Sequence, residues 1–182
     1  MGAPRHRRNG LPQRTTQGFE WPARTGALPL SGHCIRASVT RIDFYVLKDV
    51  GREARFRFAC TLTGKALERG NRVFLRTASD DDAKLANDYL WTWPANRFIP
   101  HTLGDVVHPA IPVNIHTAPP RQCEGLMINL GDDVPDFYGR FDRIAEIIVG
   151  HNRDSGREAY RRYRHRGNPL FHHELDDWES GV

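Results

Sequence analysis

Six arginines crowd the stretch from Arg153 to Arg166, and four of them, Arg153, Arg157, Arg161 and Arg164, recur at steps of four, four and three. In a helix that spacing puts them on one face, with Tyr160 between them and Tyr163 near the edge. Guanidinium groups beside an aromatic ring suit carboxylates, phosphates, or an acidic peptide with an aromatic end. The same pattern also fits a solvated face near a helix C-terminus, where the helix dipole favours cations. Against the arginines stand Asp154 and Glu158, so the segment carries net +4.

Other groups capable of chemistry are dispersed. Thr63-Gly64-Lys65-Ala66 contains the Gly-Lys pair of a phosphate-binding loop, but position 59 is Ala where that loop needs Gly, and the pair is expected inside a helix. The loop Lys48-Asp49-Val50-Gly51 offers one glycine. Asp80-Asp81-Asp82 and Asp132-Asp133 have the type for Mg²⁺, yet consecutive carboxylates diverge, and both runs are expected at helix starts that favour acids anyway. His172-His173-Glu174 resembles a metal-binding run but is expected in a flexible C-terminal end with no further ligand at a suitable spacing. Cys60 reads as a small core residue on a helix. Nothing assembles a nucleophile, a base and an oxyanion donor. The sequence therefore reads as a binding module, with no catalytic residue, metal or cofactor expected. A second unusual cluster is Tyr89-Leu90-Trp91-Thr92-Trp93-Pro94 followed by Phe98-Ile99-Pro100-His101; core packing and a protein–protein anchor both account for it.

The elements that must position these groups alternate in type. Strands are expected at Arg41 to Leu47, Asn71 to Thr77, Phe98 to Pro100, Val113 to His116, Gly125 to Leu130 and Ile144 to Val149. Helices are expected from Glu53 to Arg69 with Gly70 as stop, from the Ser79 cap to about Trp91 with Pro94 beyond, and from Asp154 to Arg166. A helical turn should run from Pro135 towards Arg143. The expected fold is α/β: a three-layer, largely parallel sheet with helices on both faces, Rossmann-like but without a phosphate-binding loop.

Charge divides the chain. Residues 1 to 38 hold six arginines against Glu20, net +5, whereas the remaining 144 residues hold 20 basic and 21 acidic residues, net −1. The first 38 residues are rich in Pro, Gly and Arg and lack periodicity, so a disordered basic leader or a start assigned upstream of the true one is expected, with a single domain from 39 to 175 and a flexible end from 176 to 182. No apolar run approaches the roughly 20 residues that span a bilayer. Three separated cysteines fit a reducing cytoplasm better than a disulfide framework.

Three segments carry a resemblance to a known family. Thr40-Arg41-Ile42-Asp43-Phe44-Tyr45-Val46-Leu47, then Leu90-Trp91 with Phe98-Ile99-Pro100-His101, then Arg157-Glu158-Ala159-Tyr160-Arg161-Arg162-Tyr163-Arg164 with Gly167 and Leu170, resemble in order and spacing the chi subunit of bacterial DNA polymerase III holoenzyme. The likeness covers about Val39 to Leu175. It implies a non-catalytic accessory subunit of the clamp-loader assembly in the bacterial cytoplasmic replisome, any polymerase activity belonging to the holoenzyme. It also implies two partners. One is the acidic C-terminal tail of single-stranded DNA-binding protein, which ends in a phenylalanine carboxylate; by position it would meet Arg157, Tyr160 and Arg161, with Arg153 one turn earlier and Ile148 receiving the phenyl ring. The other is the psi subunit or a helicase, which would meet Trp91 and Phe98. Nucleic acid would then be engaged only indirectly, and no membrane at all. The competing expectation is direct nucleic-acid binding through the basic N-terminal tail and the arginine-rich last helix.

Overall fold

Strand β1 (Arg41–Leu47) is covered on both faces, and its alternation sends Ile42 and Phe44 one way and Asp43, Tyr45 and Leu47 the other. In the computed structural model, which describes residues 39–48, 51–93, 95, 97–106, 108–121, 123–176 and 178, it sits near one end of a seven-stranded sheet. Helix α1 (Arg52–Glu68) follows, then β2 (Val73–Arg76), α2 (Asp80–Thr92), β3 (His101–Leu103), β4 (Val113–His116), β5 (Leu126–Asn129), β6 (Arg143–Ile148), α3 (Arg153–His165) and β7 (Leu170–Leu175). The strand order is β3-β4-β2-β5-β6-β1-β7, and every pairing among the described residues is parallel. Residues 1–38, expected to form a basic leader, lie outside the described residues.

Local chemistry explains where the helices begin and end. Helix α1 stops where Gly70 takes φ +72, a left-handed conformation that costs glycine little, and its amide donates to Leu67 O at 2.8 Å. Helix α2 starts at Ser79, whose hydroxyl accepts from the Asp82 amide at 3.2 Å. The expected acids of its first turn are there. Helices α1 and α2 pack together on one face of the sheet, where Tyr45 meets Phe58 of α1. Helix α3 covers the other face over a core that includes Ile42, Phe44, Phe74, Met127, Phe141, Ile144 and Tyr163. The result is the expected three-layer α/β fold.

Four expectations need correction. Phe98 to Pro100 is not a strand; β3 begins at His101, after the proline that cannot donate to a ladder. Asp132 and Asp133 do not open a helix; they lie in the turn after β5, where they pair with Arg55 (3.1 Å) and Arg76 (2.8 Å). The helical turn after Pro135 is one 3₁₀ turn, Tyr138–Arg140. His172, His173 and Glu174 are not a loose end but part of β7, laddered to β1. Beyond that strand, Trp178 is buried edge-on against Phe58, their ring centroids 5.8 Å apart. No helix among the described residues is long and apolar enough to cross a membrane.

Candidate binding surfaces

Helix α3 lies close to the sheet because its inner side is built from Gly156, Ala159 and Tyr163. A β-carbon at Gly156 would come within 2.6 Å of Ile148 Cδ1, so glycine is what lets the helix seat on β6. Tyr163, expected at the edge of the arginine face, is instead fully buried, and its hydroxyl donates to Glu146 Oε1 at 2.7 Å. Tyr160 stays at the surface, 37% exposed, with its ring centroid 5.5 Å from that of the buried Phe44. Ile148 is 7% exposed, so Tyr160 presents more apolar surface than Ile148 does.

The arginines of α3 point outward. Arg153, Arg157, Arg161, Arg162, Arg164 and Arg166 are all exposed. Arg157 donates to Asp154 at 3.0 Å, Arg162 donates to Asp136 at 3.2 Å, and Arg166 lies 5.3 Å over the Tyr138 ring. Arg161 and Arg164 have no ion-pair partner among the described residues. Exposed pairs such as Arg157–Asp154 hold weakly and yield readily to a better carboxylate. The face can therefore receive several acidic groups around one aromatic ring.

Elsewhere, several arginines are already committed. Asp43, fully buried in β1, accepts two bonds from Arg41 at 2.9 Å, one from Arg143 at 2.6 Å and one from His173 at 2.8 Å. Burial alone would raise this carboxyl, but the bonds from His173, Arg41 and Arg143 outweigh it and bring the group down to about 2. Arg72 donates to the Pro109 and Ile111 carbonyls at 3.0 and 2.9 Å. Glu146 on the α3 face differs: burial pushes its carboxyl up to about 7, against bonds from Asn129 and Tyr163. Sequence reasoning passed over both carboxylates. The available signal was an acid inside an apolar strand, Asp43 in RIDFYVL and Glu146 in IAEIIV.

The second surface is aromatic. Leu90 and Ile99 are buried and anchor α2 and the segment before β3. Their neighbours Trp91 and Phe98 are 59% and 66% exposed, with ring centroids 5.3 Å apart. The His101 ring backs Trp91 at 5.2 Å, and its Nδ1 lies 2.7 Å from the Ile99 carbonyl. Trp93 turns away beneath Arg57, which lies 5.3 Å over its ring. The expected aromatic cluster thus divides, Trp91 and Phe98 outward and Leu90 and Ile99 inward. This corner belongs to the β3–β4 end of the sheet and α3 to the β6–β1–β7 end. Four strand spacings separate β3 from β6, about 19 Å.

Among the described residues no group of three or more His, Cys, Asp or Glu side chains is placed to hold a metal ion. The Gly64–Lys65 pair lies within α1, and Cys60 is buried there, its thiol pushed up to about 12 by burial. Comparison with known proteins supplies the family. Residues 39–170 match the family model described as DNA polymerase III chi subunit, HolC. The chain is 36% identical over 140 residues to DNA polymerase III subunit chi of Pseudomonas aeruginosa, covering 75% of this chain and 98% of that protein. It is 28% identical over 130 residues to the subunit of the same name from Haemophilus influenzae, covering 69% of this chain and 90% of that protein. The corresponding Escherichia coli protein is 25% identical over 119 residues, covering 63% and 81%. The chain belongs to the DNA polymerase III chi subunit family.

Proposed function

We propose that this chi subunit acts in DNA replication as a non-catalytic scaffold that links the acidic C-terminal tail of single-stranded DNA-binding protein to the clamp-loader assembly. The observation that carries the reading is the outward arginine row of α3 around the exposed Tyr160, in a body whose buried arginines, Arg55 and Arg143, are held by internal acceptors. Arg157 and Arg161 attract the tail's acids and terminal carboxylate. Tyr160, with the edge of Ile148, receives the phenyl ring, and Arg153 extends the charge by one turn. Trp91 and Phe98 form a separate anchor for the psi subunit or a helicase, since exposed paired aromatics are the typical cores of protein interfaces.

Fluorescence-polarisation titration of an acidic, phenylalanine-terminated peptide tests the first surface. Arg157→Ala should weaken binding at least about tenfold, the loss of one charge-assisted contact. Unchanged affinity sinks the assignment. The competing reading, direct nucleic-acid binding, predicts that a single-stranded oligonucleotide binds the full chain and that deleting residues 1 to 38 removes that binding. Affinity capture from extract asks the broader question, whether single-stranded DNA-binding protein and clamp-loader subunits come down together.

A further inference from the structure

Beneath the arginine face lies a carboxylate held by neutral donors. Glu146 is buried in β6 and has no ion pair among the described residues. Asn129 Nδ2 donates to its two oxygens at 3.0 and 3.2 Å, and the Tyr163 hydroxyl donates to Oε1 at 2.7 Å. The Asn129 amide cannot turn over, because its Oδ1 already accepts from Arg76 at 3.1 Å and from the Gly131 amide at 3.2 Å. Each of these partners therefore presents a donor, an arrangement that suits the ionised carboxylate. The charges that face it from other elements are Arg55 of α1 and Arg76 of β2, which act through space and are themselves paired with Asp132 and Asp133. Tyr138 stands behind Tyr163, ring centroids 4.9 Å apart.

A proton arriving at this carboxyl meets one adjustable partner. Asn129 is locked, and a proton taken up on Oε2 leaves Oε1 to accept from Tyr163, but that bond then joins two neutral groups and loses the strength that the carboxylate charge gave it. Tyr163 lies in α3, three residues beyond Tyr160, and Phe44 touches both rings, with centroids 5.5 Å from Tyr160 and 6.2 Å from Tyr163. Two residues along β6 from Glu146, on the same face, Ile148 fills the hollow at Gly156. Glu146 with Tyr163 and Ile148 with Gly156 are two of the contacts that seat α3 on β6.

We propose that Glu146 is a positioning residue for the arginine face: in its ionised form it holds α3, through Tyr163, in the orientation that presents Arg157, Tyr160 and Arg161 to an acidic peptide, and proton uptake loosens that hold. This rests on the reading of α3 as a tail-binding surface. The carboxyl is placed to respond near neutrality, because burial has pushed it up to about 7. Ionised, it costs stability; it also aims the helix.

The test is peptide titration of the full chain at about pH 8 and about pH 6, on either side of that carboxyl. Wild type, Glu146→Gln, Tyr163→Phe and Arg157→Ala are compared, each checked for a native thermal melt. Wild type should bind about fivefold more weakly at the lower pH, a coupling at the modest end of what linked sites show. Glu146→Gln, neutral throughout and of the same shape, should bind weakly at both pH values and lose the pH response; Tyr163→Phe should match it. If Arg157→Ala binds like wild type, the tail-binding reading itself fails. If Arg157→Ala loses binding while Glu146→Gln keeps wild-type affinity and pH response, the positioning role is overturned and the tail-binding reading stands. A natively folded Tyr163→Phe with the wild-type pH response breaks the link through the hydroxyl and overturns the proposal as well.

Discussion

On the face covered by α1 and α2, the buried carboxylate of Asp43 is clasped by Arg41, Arg143 and His173, while the exposed corner at Trp91 and Phe98 is aromatic. On the α3 face the arrangement is inverted: Glu146 is held by an amide and a phenol, and the arginines stand outside in solvent. Both faces contain arginine and acid, so composition does not distinguish them. What differs is where the positive charge is spent. Arg41, Arg143, Arg55, Arg72 and Arg76 answer acceptors inside the fold, whereas on α3 Arg161 and Arg164 have no ion-pair partner among the described residues and Arg157 has only an exposed one. Available charge, not net charge, marks a binding face.

Charge reversal breaks this contrast most sharply. Arg157→Glu together with Arg161→Glu should abolish binding of an acidic peptide, a loss of more than about 3 kcal/mol, and leave any partner of the aromatic corner bound. Isothermal titration with each partner checks both halves, and joint loss would mean the surfaces are not independent. Next in size, Phe98→Ala should cost the second partner about 2 kcal/mol or more and spare the peptide. Salt sharpens the same contrast, since added salt should erode the peptide complex steeply and the aromatic complex little.

Stability should separate the two carboxylates. Glu146 carries a raised value in the fold, so the folded state binds its proton more tightly than the unfolded state does; stability is highest in mild acid and falls as pH rises from about 4.5 to about 7. Asp43 carries a lowered value, so its contribution is full above about 3.8 and is lost as pH falls towards about 2. Chemical denaturation across this range should show a plateau between the two slopes. Glu146→Gln should flatten the upper slope alone. At the seat of α3, Gly156→Ala should destabilise by about 1–3 kcal/mol through overpacking on Ile148, read as a lower melting temperature. Smallest of all, Asp154→Asn should strengthen peptide binding by about 0.5 kcal/mol, by freeing Arg157 from an exposed pair.

Much of the fold was legible wherever a local signal matched a local cause. Gly70, Ser79 and the largely apolar run of β1 announced, in turn, a helix end, a helix start and a buried strand. Helix α3 was legible through its charges, but its buried face was not. Gly156, Ala159 and Tyr163 give hardly any apolar stripe, because close approach to the sheet needs small residues and Tyr163 is satisfied by a partner 17 positions away. Strand β7 was missed for a related reason: as an edge strand it leaves Phe171, His172 and Glu174 exposed, so LFHHEL reads as polar. Strand β3 is three residues long, too short to show a period. For the candidate surfaces, spacing identified the outward arginines and aromatics; no pattern along the chain could reveal the carboxylate under α3.

Strand β1 has one further consequence, and it concerns how the molecule is made. Its two neighbours in the sheet are β6 and β7, whose residues follow it by about a hundred positions or more. During synthesis β1 therefore emerges as an apolar strand with both edges open, and it stays so until residues past 140 have been added. Long-range pairing of this kind slows folding and exposes aggregation-prone edges meanwhile. A chain cut between Arg166 and Leu170 would leave β1 bare along one side. Such truncations should accumulate as insoluble protein even though every residue of the proposed binding helix is present.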